Sequence, residues 1–280
     1  NGRYVVFESR ATNLATGGNA NYDDIFVKDT QTGEIIRVST SETGGDANAD
    51  CRDAKISADG RFVVFSSYAT NLTTNETATF AGQLADIYVW DRTDKSLTNI
   101  TADIGGAFDC LDADVGFDTA SGGTFYGGTV VFTTEKALVA GDTNNAKDVY
   151  AFSLSDETFT RVSVRADGGQ HANSSEDPSI STDGRWVVFR SSDATTPLVP
   201  GDTNGYYDVF VKDLYTGAIA LVSKPAGGQA NQASSNPTIS AGGDWIVFES
   251  SASNLASTDA NGTGTDIFRV SNPLLKDTLE

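Results

Sequence analysis

Two stretches of this sequence carry the oxygen-rich spacing that suits a hard cation. Asp142-Thr143-Asn144-Asn145-Ala146-Lys147-Asp148 and Asp202-Thr203-Asn204-Gly205-Tyr206-Tyr207-Asp208 each set side-chain oxygens at i, i+2 and i+6, and Asp259, Asn261 and Asp266 repeat the pattern with one extra residue. Calcium collects carboxylate, amide, carbonyl and water oxygens, so Asp142, Asn144, Asp148, Asp202, Asn204, Asp208, Asp259, Asn261 and Asp266 are its candidate ligands. The same residue types also close Asx turns, and a turn cap needs no metal.

Other chemistry is sparse. The single histidine, His171, supplies neither a transition-metal pair nor a repeatable Ser-His-Asp arrangement, and reads as an incidental loop residue. Carboxylates are abundant, and Asp53, Asp112 and Asp177, with Tyr206 and Tyr207 nearby, keep open an acid/base enzyme acting on carbohydrate. Cys51 and Cys110 fall at matching places in neighbouring repeats, where later copies have Ser175 and Ser234. They form either one disulfide or two buried thiols.

The elements that position these residues come from an internal repeat. Tyr4-Val5-Val6-Phe7 recurs as Phe62-Val63-Val64-Phe65, Thr129-Val130-Val131-Phe132, Trp186-Val187-Val188-Phe189 and Trp245-Ile246-Val247-Phe248. A second strand opens with Asp in every copy, at Asp24, Asp86, Asp148, Asp208 and Asp266, and continues with β-branched and aromatic residues that suit a pleated, buried surface. A third strand follows a tight turn, as in Ile35-Ile36-Arg37-Val38, and a short fourth, as in Lys55-Ile56-Ser57, leads through Asp59-Gly60 into the next copy. Four antiparallel strands per copy with no helical period predict an all-β fold, a five-bladed β-propeller forming one domain over 1–280, with repeats near 1–52, 53–111, 112–176, 177–235 and 236–280.

Some copies depart from the pattern. The first starts at its second strand, the third lacks the Asp-Gly hairpin and carries an insertion around Phe117 to Tyr126, and the last ends without a clear outer strand. Loop lengths then distinguish two faces. The long connections, such as Ser191 to Tyr207 and Lys224 to Asn236, share one face, which is where binding is expected. A further recurring element lies there: Gly44-Gly45-Asp46-Ala47-Asn48, Gly168-Gly169-Gln170-His171-Ala172-Asn173 and Gly227-Gly228-Gln229-Ala230-Asn231.

Ser57-Ala58-Asp59-Gly60-Arg61-Phe62 and Ser181-Thr182-Asp183-Gly184-Arg185-Trp186, followed by Asp208-Val209-Phe210-Val211-Lys212-Asp213, resemble the WD40-like repeats of TolB-type propellers across all five copies. The resemblance implies the fold more than the function, because this repeat serves periplasmic interaction proteins, peptidase accessory domains, polysaccharide lyases and surface proteins. The lyases of that kind use a histidine-rich centre, and this sequence has one histidine.

The formal net charge of −19, from 38 acidic against 19 basic residues, disfavours nucleic acid and anionic membrane surfaces and favours cations. No apolar run is long enough for a membrane helix, and Asn1-Gly2-Arg3 opens straight into a strand, so the sequence reads as a mature or trimmed form. The expectation is a bacterial extracellular or periplasmic scaffold or recognition module. It presents its long-loop face to protein or glycan, with calcium ordering the loops, and self-association is compatible with the repeat. The alternative is a polysaccharide lyase or glycoside hydrolase working at the axial mouth.

Overall fold

The computed structural model describes residues 2–16, 18, 20–74, 84–102, 108–117, 128–192, 195–258, 261–262 and 264–278. The chain divides into two compact units, Asn1–Val115 and Gly116–Glu280. The described residues hold eighteen strands in five antiparallel sheets, each a meander in which chain neighbours pair.

The first blade has β1 (Tyr4–Ser9), β2 (Asp24–Asp29) and β3 (Ile35–Arg37). The second has β4 (Cys51–Ile56), β5 (Phe62–Ser67), β6 (Asp86–Asp91) and β7 (Ser96–Asn99). Next come β8 (Cys110–Gly116), β9 (Thr129–Thr134), β10 (Asp148–Ser153) and β11 (Thr158–Arg161), then β12 (Ser175–Ile180), β13 (Trp186–Ser191), β14 (Asp208–Asp213) and β15 (Ile219–Leu221). The fifth blade has β16 (Ser234–Ile239), β17 (Trp245–Ser250) and β18 (Asp266–Ser271), and a 3-10 helix over Pro273–Thr278 stands where an outer strand would follow. This is the five-bladed propeller the repeat predicts, with its first and last blades three-stranded. The insertion after Phe117 lies mostly outside the described residues.

The Val-Val-Phe strands β5 and β9 are buried along their whole length, which is why they read as continuous apolar runs rather than alternating ones. In each blade the closing Phe sits opposite an aromatic of the next strand. Phe65 stacks on Tyr88 at 5.4 Å between ring centroids, Phe7 on Phe26 at 5.6 Å, Phe248 on Phe268 at 5.7 Å, Phe189 on Phe210 at 6.0 Å and Phe132 on Tyr150 at 6.3 Å. Each such pair adds about 0.5–1.5 kcal/mol beyond its buried area.

The Ser-x-Asp-Gly-Arg signature has a mechanical explanation. The Ser57 hydroxyl accepts from Phe62 N (2.9 Å), Asp59 accepts from Arg61 N (2.9 Å), and Arg61 reaches Asp91 at the far end of β6 (2.7 Å). Arg185 holds Asp213 in the same way (2.7 Å), and Arg3 holds Asp29 (2.8 Å). The turn glycine must be glycine for two reasons. Gly60 and Gly243 have φ of +77°, and a Cβ on either would lie 2.3 Å from the ring of Tyr4 or Trp186 in the preceding blade.

The fourth strand of the repeat is longer than the sequence suggests. It begins at Cys51, Ser175 and Ser234 in the second, fourth and fifth blades, and its register shifts between Arg52 and Lys55, between Glu176 and Ser179, and between Ser235 and Thr238. A β-bulge there breaks the alternation that would have exposed the strand to inspection.

Candidate recognition face

The Asp that opens the second strand is an anchor in the first four blades. Asp24, Asp86, Asp148 and Asp208 each accept a hydrogen bond from a hydroxyl 15 residues further on, from Ser39 (2.6 Å), Thr101 (2.7 Å), Ser163 and Ser223 (2.6 Å). The same hydroxyl accepts from the backbone N–H just after the Asp, at Ile25, Ile87, Val149 and Val209. The start of the second strand is thereby tied to the end of the third. The constant spacing is legible in the sequence, and it is the signal that reading the Asp as a turn cap misses.

Two loops elaborate this anchor into a latch. Asn144 donates to Asp148 (3.0 Å) and to the His171 carbonyl (2.9 Å), while its own side-chain oxygen accepts from Ala146 N (3.2 Å). Asn204 repeats all three bonds, to Asp208 (2.8 Å), to the Ala230 carbonyl (3.2 Å) and from Tyr206 N (2.8 Å). The glutamine of the Gly-Gly-Gln element closes the other side: Gln170 accepts from Thr143 (2.9 Å) and donates to Asp142 (3.3 Å), and Gln229 accepts from Thr203 (3.2 Å) and donates to the Gly201 carbonyl. The Asp-x-Asn loops and the Gly-Gly-Gln elements, read from sequence as separate motifs, form one device.

The two latches differ in charge. In the third blade the buried Arg161 lies 3.3 Å from Asp142 and 3.8 Å from Asp148. Burial still pushes the Asp148 carboxyl up to about 6, against the opposing pull of Ser163, Asn144 and Arg161. In the fourth blade the matching residue is Leu221, while Asp202 and Asp208 are both buried. Burial raises the Asp208 carboxyl too, opposed by Ser223 and Asn204. The first blade resembles the third, with Arg37 2.5 Å from Asp46 and 3.6 Å from Asp24. In the fifth, Asn261 donates to Asp266 (3.2 Å), and Asp259 lies outside the described residues. Among the described residues no group of three or more His, Cys, Asp or Glu side chains is arranged to hold a metal.

The bulges place a second set of residues. Asp53, Asp112, Asp177 and Asn236 occupy matching positions with φ of 57°, 57°, 54° and 49°, a left-handed conformation that Asp and Asn accept more readily than other non-glycine residues. In the second unit, Arg190 binds Glu176 (2.8 Å) and Asp177 (2.9 Å) and lies over the Tyr207 ring at 4.9 Å, while Lys147 pairs with Glu176 (3.2 Å) and Asn236 with Glu249 (3.0 Å). Burial raises the Asp177 carboxyl, with Arg190 opposing. Tyr206 projects into solvent beside this cluster's Tyr207. In the first unit, Glu8 accepts from Asp53 N (2.6 Å), Arg10 binds Asp23 (2.8 Å) and Arg52 binds Asp50 (2.8 Å).

Cys51 and Cys110 are two separate buried thiols, so the disulfide alternative gives way to the other reading. Each opens the first strand of its own blade and donates its backbone N–H to the preceding blade, Cys51 to the Asp23 carbonyl and Cys110 to the Ala85 carbonyl, both at 2.8 Å. Cys51 faces Ser67 (3.1 Å) just as Ser175 faces Ser191 (3.0 Å) and Ser234 faces Ser250 (2.9 Å). Burial pushes the Cys51 thiol up to about 12. His171 corrects its reading as incidental: it is buried where the other copies have Ala47 and Ala230, with one ring nitrogen 2.9 Å from the Thr196 carbonyl and the other 2.8 Å from the Ser191 hydroxyl.

Comparison with models of known protein families finds no match, nor does comparison with curated proteins. Among solved structures, the chain is similar to TolB from Acinetobacter baumannii, at 16% identity over 96% of this chain and 50% of that one, with a TM-score of 0.51. It is also similar to hydrazine synthase from Kuenenia stuttgartiensis (13% identity, 88% of this chain and 35% of that one, TM-score 0.48). A third likeness is to oligogalacturonate lyase from Vibrio parahaemolyticus (10% identity, 89% and 55%, TM-score 0.47). The fold is that of a TolB-type β-propeller, and the chain spans half the length of the TolB chain it matches.

Proposed function

We propose that this chain is a non-catalytic recognition module working outside the cytoplasm, presenting its long-loop face to a protein or glycan. The observation that carries the reading is the latching of the long loops. Asn144 and Asn204 fasten loops that would otherwise be mobile to the backbone of the following inter-blade connection, and preorganised loops on a rigid scaffold bind with less ordering cost. Tyr206, exposed beside the Arg190–Tyr207 pair, offers the aromatic surface on which a sugar ring or a partner side chain packs. The net charge of −19 supports an extracytoplasmic setting rich in divalent cations, and no helix among the described residues is long and apolar enough to cross a membrane.

The reading includes calcium in the fourth blade. Asp202 and Asp208 would hold it, supplying hard anionic oxygens where Leu221 replaces the arginine of the third blade. Carbonyl and water oxygens would complete the shell.

A second reading, carbohydrate turnover, draws on Asp177, whose raised carboxyl at a left-handed bulge suits an acid. A glycan array probed with the chain, with the retained glycans then analysed for cleavage, separates the two. Binding without new chain ends, weakened by Tyr206→Ala, is expected, and turnover abolished by Asp177→Asn would replace the first reading with the second.

A further inference from the structure

The latch amide of the fourth blade is followed by glycine, and that of the third is not. Gly205 and Asn145 hold the same place after Asn204 and Asn144, both exposed and both left-handed, with φ of 70° and 53°. Asparagine therefore meets the conformational demand of this turn, and glycine is not required by it. What glycine changes is access. With no Cβ beside it the Gly205 nitrogen is unshielded toward the preceding side chain, and among the described residues its N–H has no hydrogen-bond acceptor.

The latch also prepares the group that such a nitrogen attacks. The Asn204 side-chain oxygen accepts from Tyr206 N (2.8 Å), which folds the amide back over the Gly205 peptide and draws electron density away from Cγ. The third latch makes the same bond, from Ala146 N to the Asn144 oxygen, at 3.2 Å. The two sites share their geometry and differ in the residue that carries the nucleophile.

We propose that Asn204-Gly205 is a self-modification site, at which the fourth latch converts its own amide to aspartate and isoaspartate and releases its loop. The Gly205 nitrogen forms a bond to Cγ of Asn204, the bond from Cγ to Nδ2 breaks, and Nδ2 departs as ammonia with the proton that the Gly205 nitrogen gives up. The cyclic imide then takes up water at one of its two carbonyls and opens to aspartate, or to the isomer whose chain runs through the side chain. Either product lacks Nδ2, the donor to Asp208 (2.8 Å) and to the Ala230 carbonyl (3.2 Å), and adds a negative charge close to Asp208. The inference is independent of what the loop face binds.

Peptide mapping by mass spectrometry tests it on the folded chain, aged in mildly alkaline buffer and sampled over time, with chemically unfolded chain setting the reference rate. Asn204 should show the small mass gain of amide hydrolysis and an isoaspartate-containing peptide, while Asn144 stays intact. Hydrogen exchange should quicken in 202–208 as conversion proceeds and stay unchanged in 142–148. Gly205→Asn copies the third blade and should keep Asn204 intact, and Asn145→Gly copies the fourth and should make Asn144 convert. Asn204 that survives in the folded chain while the unfolded chain converts overturns the proposal. So does equal conversion of Asn144 and Asn204, conversion undiminished by Gly205→Asn, an intact Asn144 in Asn145→Gly, or conversion that leaves exchange in 202–208 unchanged.

Discussion

The latches of the third and fourth blades place nearly the same residues in the same hydrogen bonds and differ in what balances their charge. Asn144 and Asn204 make matching bonds, and Ser163 and Ser223 hold the strand-opening aspartates alike. Arg161 then neutralises one pair of carboxylates, whereas Leu221 occupies the matching place in the blade of the other, equally buried pair. The loop conformation is therefore set by the amide and hydroxyl bonds, and charge compensation is a separate layer added to it. The spacing Asp-x-Asn-x-x-x-Asp, read alone, conflates the two.

Breaking the third latch electrically should have the largest effect. Arg161→Leu gives this blade the composition of the fourth and leaves Asp142 and Asp148 buried beside no cation, costing about 3–5 kcal/mol in denaturant unfolding. Removing the latch amide should cost less. Asn144→Ala and Asn204→Ala each delete two donated bonds and one accepted bond, about 1–3 kcal/mol, and near-equal losses would show that the amide acts alike in both blades.

A smaller effect follows from protonation. The Asp148 carboxyl sits at about 6 in the folded chain and near 4 when unfolded, so between those values the folded state keeps a proton the unfolded state has released. Its contribution to stability is greatest below pH 4, falls as pH rises to 6 and is flat above. Asp148→Asn should remove that component from a pH series of melting curves. Asp29 works in the opposite sense: Arg3 holds it at about 2, so its contribution is present above pH 4 and fades as pH falls toward 2. The smallest expected effect is that of reductant, which should leave the melting temperature unchanged, with Cys51 and Cys110 reacting with a thiol reagent only after unfolding.

The fold was legible because the repeat survives in the residues that pack: the Val-Val-Phe strand and the strand-opening Asp recur in all five copies, and the Asp-Gly-Arg turn does one job in the second and fourth. The candidate site was less so. Asn144 and Asn204 stand out by spacing, but the groups that decide their chemistry, Arg161 and Leu221, lie in another strand and come together only through the sheet. The bulges at Asp53 and Asp177 were hidden because a one-residue shift destroys alternation in the sequence. His171 looked incidental because its partners, Ser191 and the Thr196 carbonyl, are distant along the chain.

Hydrogen exchange on demetallated protein, followed separately in the segments 142–148 and 202–208 with and without added calcium, tests the separation of conformation from charge most directly. Both segments should be protected before calcium is added, because the Asn latches hold them, and calcium should slow exchange further only in 202–208. Equal slowing in the two segments, or none in either, would contradict the assignment of the cation to the blade that lacks the arginine.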